Sequence, residues 1–123
     1  MRLLLDTHAL IWWDVGVGLR RAAERAIRDA DQVYVSAVSG WEVAIKVSLG
    51  RLRTKRSVVD AVTQSGFEEL PVRLRHAEVL ARLPRHHRDP FDRILAAQAL
   101  AEGLTLVTRD RSFLPYGLKL LAA

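Results

Sequence analysis

The sequence predicts an α/β protein: a three-layer α/β/α sandwich on a mainly parallel sheet of about five strands, in one domain covering residues 1–123. Three observations lead there. Short apolar runs alternate with longer helical stretches along the whole chain, the pattern of a parallel sheet covered on both faces. Residues 89–110 read as helix start, helix, stop and strand, almost without slack. Half of the 123 residues are hydrophobic, and a chain of this length buries roughly two-thirds of its unfolded surface without staples.

The elements follow in order. Residues 2–5 are a short apolar strand ended by Asp6. Thr7 and His8 open a helix through Trp12 and Trp13, broken by the glycine-containing stretch 14–18. Residues 19–31 form a second helix. Leu19, Ala22, Ala23, Ala26, Ile27 and Ala30 line one face, and Arg20, Arg21, Glu24, Arg25 and Arg28 the other. Residues 33–36 are the second strand. A third helix, 38–49, carries Trp41, Glu42 and Lys46, and Gly40 weakens its first turn. Residues 50–56 are a basic turn. Ser57 caps a helix running to Ser65. Residues 67–72 hold the third strand, closed by Pro71, and 75–83 a short helix. Pro84-Arg85-His86-His87-Arg88 is a basic loop.

Then comes the best-defined stretch. Asp89 is an N-cap, and Pro90 suits the first helical position, where its missing N–H costs nothing. No breaker interrupts Phe91 to Glu102, and the apolar residues there run round most of the helix, so it is expected to be buried. Gly103 suits a left-handed helix end. Residues 104–107 are a buried strand, and 118–121 a last edge strand after the turn Pro115-Tyr116-Gly117.

Composition sets outer bounds. There is no cysteine, so disulfides and thiolate metal sites are excluded and the cytoplasm is the expected compartment. The apolar run at the start is too short for a signal peptide, and no run approaches membrane-spanning length. Lys plus Arg number 19 against 14 Asp plus Glu, which favours a polyanionic partner such as nucleic acid. Only 3 of those 19 cations are lysine. Arginine excess also follows from the codon bias of a GC-rich genome, so charge alone does not decide.

Chemistry concentrates in four carboxylates. Asp6 follows strand one, Glu42 lies on the helix after strand two, Asp92 sits in the first turn of the helix before strand four, and Asp110 follows strand four. In a parallel sheet these places share the C-terminal edge, where ligands bind. Each has an ordinary reading. Asp6 caps a turn, Glu42 is an exposed helix residue, Asp92 pairs with Asp89 in a capping box, and Asp110 is a turn residue beside Arg109 and Arg111. Their combination at one edge is what those readings leave unexplained. Four converging carboxylates repel unless cations hold them. Hard oxygen ligands suit Mg²⁺ or Mn²⁺, singly or as a pair about 3.5–4 Å apart that activates water for phosphodiester cleavage.

These residues resemble the PIN-domain ribonucleases, and more closely the VapC-type toxins of bacterial toxin–antitoxin pairs. The matching pieces are Leu3-Leu-Leu-Asp6-Thr7-His8, Ser36-Ala-Val-Ser-Gly-Trp41-Glu42-Val-Ala-Ile-Lys46, Asp89-Pro-Phe-Asp92-Arg93-Ile-Leu-Ala-Ala-Gln98 and Leu106-Val-Thr108-Arg-Asp110. They span nearly the whole chain. The resemblance implies a PIN-like fold, with Asp6, Glu42 and Asp92 as metal ligands, Asp110 at the fourth acidic or polar position, and Thr108 as a supporting hydroxyl. It implies Mg²⁺-dependent endonucleolytic cleavage of RNA, inhibition by a cognate antitoxin, and a homodimer. Two departures stand out. Residues 14–18 lack the family's proline-containing turn, and Gly40 replaces a bulkier residue beside Trp41-Glu42.

Further expectations attach to single residues. Thr7 supports the site. Lys46, Arg93 and Arg109 are candidates to neutralise phosphates, each with solvated charge as its plain alternative. His8, His86 and His87 are structural or solvated rather than ligands. Trp12 and Trp13 are core or partner-contact residues, and a Trp facing solvent would mark an antitoxin or dimer surface. A haloacid-dehalogenase-type phosphatase would need Asp at position 8, where His8 stands. A receiver domain would need paired acids after strand one. The rival of another class is a non-catalytic RNA-binding or regulatory module on the same fold; an idle acidic cluster would weaken its RNA binding.

Overall fold

The structure is a computed structural model and describes residues 1–85 and 89–123. His86, His87 and Arg88, the centre of the expected basic loop, lie outside the described residues.

The core element is β1 (Arg2–Leu5), three consecutive leucines with no exposed surface. A strand buried on both faces lies in mid-sheet, and β1 pairs in parallel with β2 (Gln32–Ser36) on one side and β4 (Thr105–Thr108) on the other. Short outer strands complete the order β3-β2-β1-β4-β5, with β3 at Glu68–Leu70 and β5 at Leu120–Ala122. All four pairings are parallel. Leu4 pairs with Tyr34 and with Leu106, and Leu5 with Val35 and Val107. Strand one therefore ends level with its neighbours at the C-terminal edge.

Side-chain alternation divides the three leucines between two layers. Leu3 and Leu5 join Val33, Val35 and Val107 beneath Ala9, Leu10 and Ile27. Those residues come from α1 (Thr7–Val15) and α2 (Arg21–Asp29), and Val58 and Val62 of α4 (Val58–Gln64) pack alongside. Leu4 and Leu106 face the other way, onto Leu95, Ala96 and Ala99 of α6 (Pro90–Glu102) and onto Phe113 and Tyr116. Between them in sequence, α3 (Ala37–Ser48) follows β2, and α5 (Leu74–Arg82) packs along α6.

Helix ends moved by a residue or two from their expected places. α1 runs on to Val15 because Gly16 takes the left-handed conformation and its N–H closes onto the Trp12 carbonyl, 2.9 Å away. Asp14, expected in the break, is inside the helix and pairs with Arg56 at 2.6 Å. The turn expected at Pro115-Tyr116-Gly117 is the end of a 3₁₀ helix, Arg111–Tyr116, capped by Asp110. β5 begins at Leu120, later than expected. Among the described residues no helix is long and apolar enough to cross a membrane.

Candidate active site

Asp6 is where strand one stops, and two bonds explain why it stays there. Its backbone N–H reaches the Val107 carbonyl at 3.1 Å, continuing the β1–β4 ladder by one residue. Its Oδ1 then accepts the Ala9 N–H at 2.7 Å, capping α1. The ordinary reading of Asp6 is thus true, but it uses one carboxylate oxygen only. Oδ2 accepts a 2.6 Å bond from the Thr108 hydroxyl at the end of β4. The same Thr108 oxygen accepts the Asp110 N–H at 3.0 Å. One hydroxyl links the ends of the two central strands.

The Asp6 side chain is buried, with the residue 6% exposed. Burial pushes its carboxyl above the ordinary 3.8, the Thr108 and Ala9 bonds and nearby His8 draw it back, and the charge of Asp110 raises it again. Asp6 is a buried carboxylate with no Lys or Arg ion-pair partner among the described residues.

Glu42 was open to reading as a solvated helix residue; it is buried at 9% exposure. Oε1 accepts the Thr7 hydroxyl proton at 2.7 Å, and Oε2 lies 3.1 Å from Lys46 Nζ one turn on. Thr7 Oγ1 is also 3.1 Å from Ser39 Oγ, a contact that local sequence pattern does not announce. Because Thr7 adjoins Asp6, the start of α1 holds the two acids in sequence with one helix turn.

Asp92 lies half-buried in the first turn of α6. α6 leads through Gly103 into β4, so it runs back from the C-terminal edge and its first turn stands there. Glu42 and the Asp89-Pro90-Phe91 entry of α6 line one cleft. Asp110 is exposed after β4, and its Oδ1 caps the 3₁₀ helix through the Ser112 N–H at 2.9 Å.

The candidate phosphate ligands have structural employment. Lys46 serves Glu42. Arg93 donates to the Pro84 carbonyl at 3.0 Å and the Leu80 carbonyl at 3.3 Å, closing the end of α5. Arg109 donates to the Ala123 carbonyl at 3.1 Å and to the Gly18 carbonyl, and its guanidinium lies 3.9 Å over the Trp12 ring. Trp12 and Trp13 are half-buried against the first core layer, whereas Trp41 is 60% exposed.

The edge can be compared with what a divalent ion needs. Among the described residues no three His, Cys, Asp or Glu side chains stand close enough together to hold a metal ion as they are. The donors are nevertheless of the right kind: carboxylates with neutral hydroxyl supports and no thiolate, around a buried carboxylate with no Lys or Arg ion-pair partner among the described residues.

Comparison with known proteins agrees with this architecture. The PIN-domain family profile matches residues 3–117. The chain is 33% identical over 113 residues to ribonuclease VapC22 of Mycobacterium tuberculosis, covering 89% of this chain and 87% of that protein. Its fold is similar to a chain of VapBC2 from Rickettsia felis bound to a promoter DNA fragment (TM-score 0.70, 17% identity, 98% of each chain). It is also similar to FitAcB from Neisseria gonorrhoeae (0.67, 23%, covering 98% and 96%) and to a toxin–antitoxin complex from Klebsiella pneumoniae (0.68, 22%, 98% and 96%). On the profile match and the VapC22 relationship, the chain belongs to the PIN-domain family, in its VapC-type ribonuclease branch.

Proposed function

We propose that this protein is a Mg²⁺-dependent endoribonuclease, with Mn²⁺ as a possible substitute, and the toxin of a cytoplasmic toxin–antitoxin pair. The observation that carries the reading is Asp6: a buried carboxylate at the C-terminal end of the central strand, held by Thr108, close enough to Asp110 to feel its charge, and without a Lys or Arg ion-pair partner among the described residues. Asp6 and Asp92 would hold the ion, Glu42 directly or through water, while Asp110 orients the attacking water or completes a second site. A bound divalent ion supplies charge neutralisation at the scissile phosphate and water of lowered pKa. The chain's own residues do the rest. Thr108 fixes Asp6 Oδ2, and Thr7 fixes Glu42 Oε1, both without neutralising the charge. Lys46 balances Glu42 and would be free to meet a phosphate once an ion takes its place there.

Partners follow the same reading. The VapC22 relative is a ribonuclease, one structural relative is a toxin–antitoxin complex, and another is bound to a promoter DNA fragment. RNA is the proposed substrate, a cognate antitoxin the inhibitor, and a homodimer the working form. Exposed Trp41 supports a protein-facing surface. The alternative is a non-catalytic RNA-binding or regulatory module on the same fold, against which the four acidic side chains argue, because an idle anionic cluster would weaken RNA binding.

Cleavage of a structured RNA pool tests the two. With Mg²⁺ the protein should cut; with EDTA, or as Asp6→Asn or Asp92→Asn, it should not. Binding without cleavage in every lane would replace the nuclease with the non-catalytic module.

A further inference from the structure

Resting on that reading, we propose that the cleft between the C-terminal half of α3 and the start of α6 is a nucleotide subsite. It seats one nucleotide of single-stranded RNA next to the scissile phosphate.

The cleft opens beside Glu42 and encloses about 480 Å³, the lower part of the range for small-ligand sites. Its lining is apolar at Ile45, Leu49, Pro90 and Phe91 and carries the cations of Lys46 and Arg51. A base against an apolar and aromatic wall, with its phosphate on a cation, is the chemistry of a nucleotide.

Arg51 is placed by the way α3 ends. Gly50 adopts the left-handed conformation (φ +69°). The Gly50 N–H then bonds the Val47 carbonyl at 3.0 Å, and the Arg51 N–H folds back to the Lys46 carbonyl at 2.9 Å. This paired closure returns the chain onto the last helical turn and brings Arg51 into the cleft with Lys46. Lys46 already faces Glu42. The Arg51 guanidinium makes no ion pair or hydrogen bond with any described residue, so its charge is uncommitted. Asp89 is the cleft's other acid, and its Oδ1 caps α6 through the Phe91 N–H at 2.9 Å. The positive end of α6 offsets that charge. Trp41 packs edge-on against Phe91 (5.6 Å, 89°) but does not line the cleft.

A second groove, of about 720 Å³, lies between α3 and α4 over Val35 and Phe67. Its one charged lining residue is Glu69. It offers a phosphate no cation, so the smaller cleft is the one matched to RNA.

The test measures binding of fluorescein-labelled single-stranded RNA decamers to the whole chain in EDTA, across a salt series, with melting curves to verify folding. Arg51→Ala should weaken binding and lower the slope of log K against log [salt] by about 0.7. Phe91→Leu should weaken binding about 5- to 150-fold with the slope unchanged. Arg25→Ala, an exposed α2 control, should leave affinity and slope alone. Wild-type affinity and slope in both cleft variants would overturn the subsite and give the cleft to a protein partner. An equal fall in slope for Arg25→Ala would reduce it to general charge. Mg²⁺-dependent cleavage by the wild-type protein is scored separately, so loss of the subsite and loss of the nuclease reading remain distinct.

Discussion

Thr108→Val tests the hydroxyl that joins the two central strands. Valine keeps the shape and β-propensity of threonine but can neither donate to Asp6 nor accept from Asp110. A hydrogen bond to a charged group is worth about 1.5–3 kcal/mol. The Asp110 N–H is half-exposed and finds water, adding little. A buried methyl in place of the hydroxyl returns about 0.8 kcal/mol. The net loss is therefore about 1.5 kcal/mol. Unfolding entropy near 2.1 cal/mol/K per residue makes each kcal/mol worth about 4 °C for this chain, so Tm should fall about 6 °C. The loss should also depend on pH. The folded-state carboxyl of Asp6 already lies above its ordinary 3.8 because of burial, so the cost of its charge is in full force above the folded pKa and vanishes as pH falls to the ordinary value. Removing the Thr108 donor raises that pKa further. Melts in EDTA at pH 4 to 8 should therefore show the largest deficit at high pH, with Thr108→Ser, which keeps the donor, lacking that trend. A deficit equal at every pH, or no greater than that of Thr108→Ser at pH 8, would refute the reasoning.

Three further outcomes follow. Gly40→Ala should stabilise the protein by about 1 kcal/mol, or about 4 °C in Tm, because glycine is a poor helix former and an added Cβ meets only Val58 Cγ1, at 3.8 Å; an unchanged or lowered Tm would count against it. Gly18→Ala should cost about 2 kcal/mol or more in urea unfolding, since its φ is +111° and a Cβ would stand 2.6 Å from Trp12 Cδ1; Trp12 fluorescence should shift with it. Glu102→Gln should lose up to about 1 kcal/mol at pH 7, because its carboxyl is held below the ordinary 4.5 first by His76 and, against burial, also by Arg75, while the amide oxygen still accepts from His76. A lowered folded-state pKa gives stability present above 4.5 and lost as pH falls through the folded value. The gap between variant and wild type should accordingly close in acid, and a gap persisting at pH 3 would contradict the assignment.

The strands and helices were legible because they rest on local rules. Three leucines before Asp6 make a buried strand, and Asp89-Pro90 starts a helix wherever it occurs. The strand ends that carry Asp6 and Asp110 were legible at one edge because the sheet is parallel. The individual fates of the acidic residues were not. Nothing near Glu42 announces that Thr7, 35 residues away, takes one of its oxygens. Arg93 and Arg109 carry the charge of phosphate ligands, yet both are occupied by backbone carbonyls brought close by folding. The same holds for His76, buried 26 residues from Glu102. Its Nδ1 accepts the Arg73 N–H, so Nε2 carries the proton and donates to the carboxylate at 3.0 Å. Such contacts join distant parts of the chain, and periodicity holds no record of them. The 3₁₀ helix before β5 escaped notice because six residues containing a proline resemble a plain turn.

The two outermost strands have a consequence for the protein's life in a crowded solution. An open sheet invites other chains to add to its borders, and length and flatness make that recruitment efficient. Here each border is three residues long. One carries the exposed side chains of Glu68 and Glu69, whose like charges repel the same border on another molecule. The other is preceded directly by exposed Lys119. Brevity and charge at the margins guard against fibre-like growth while leaving the C-terminal edge clear for chemistry.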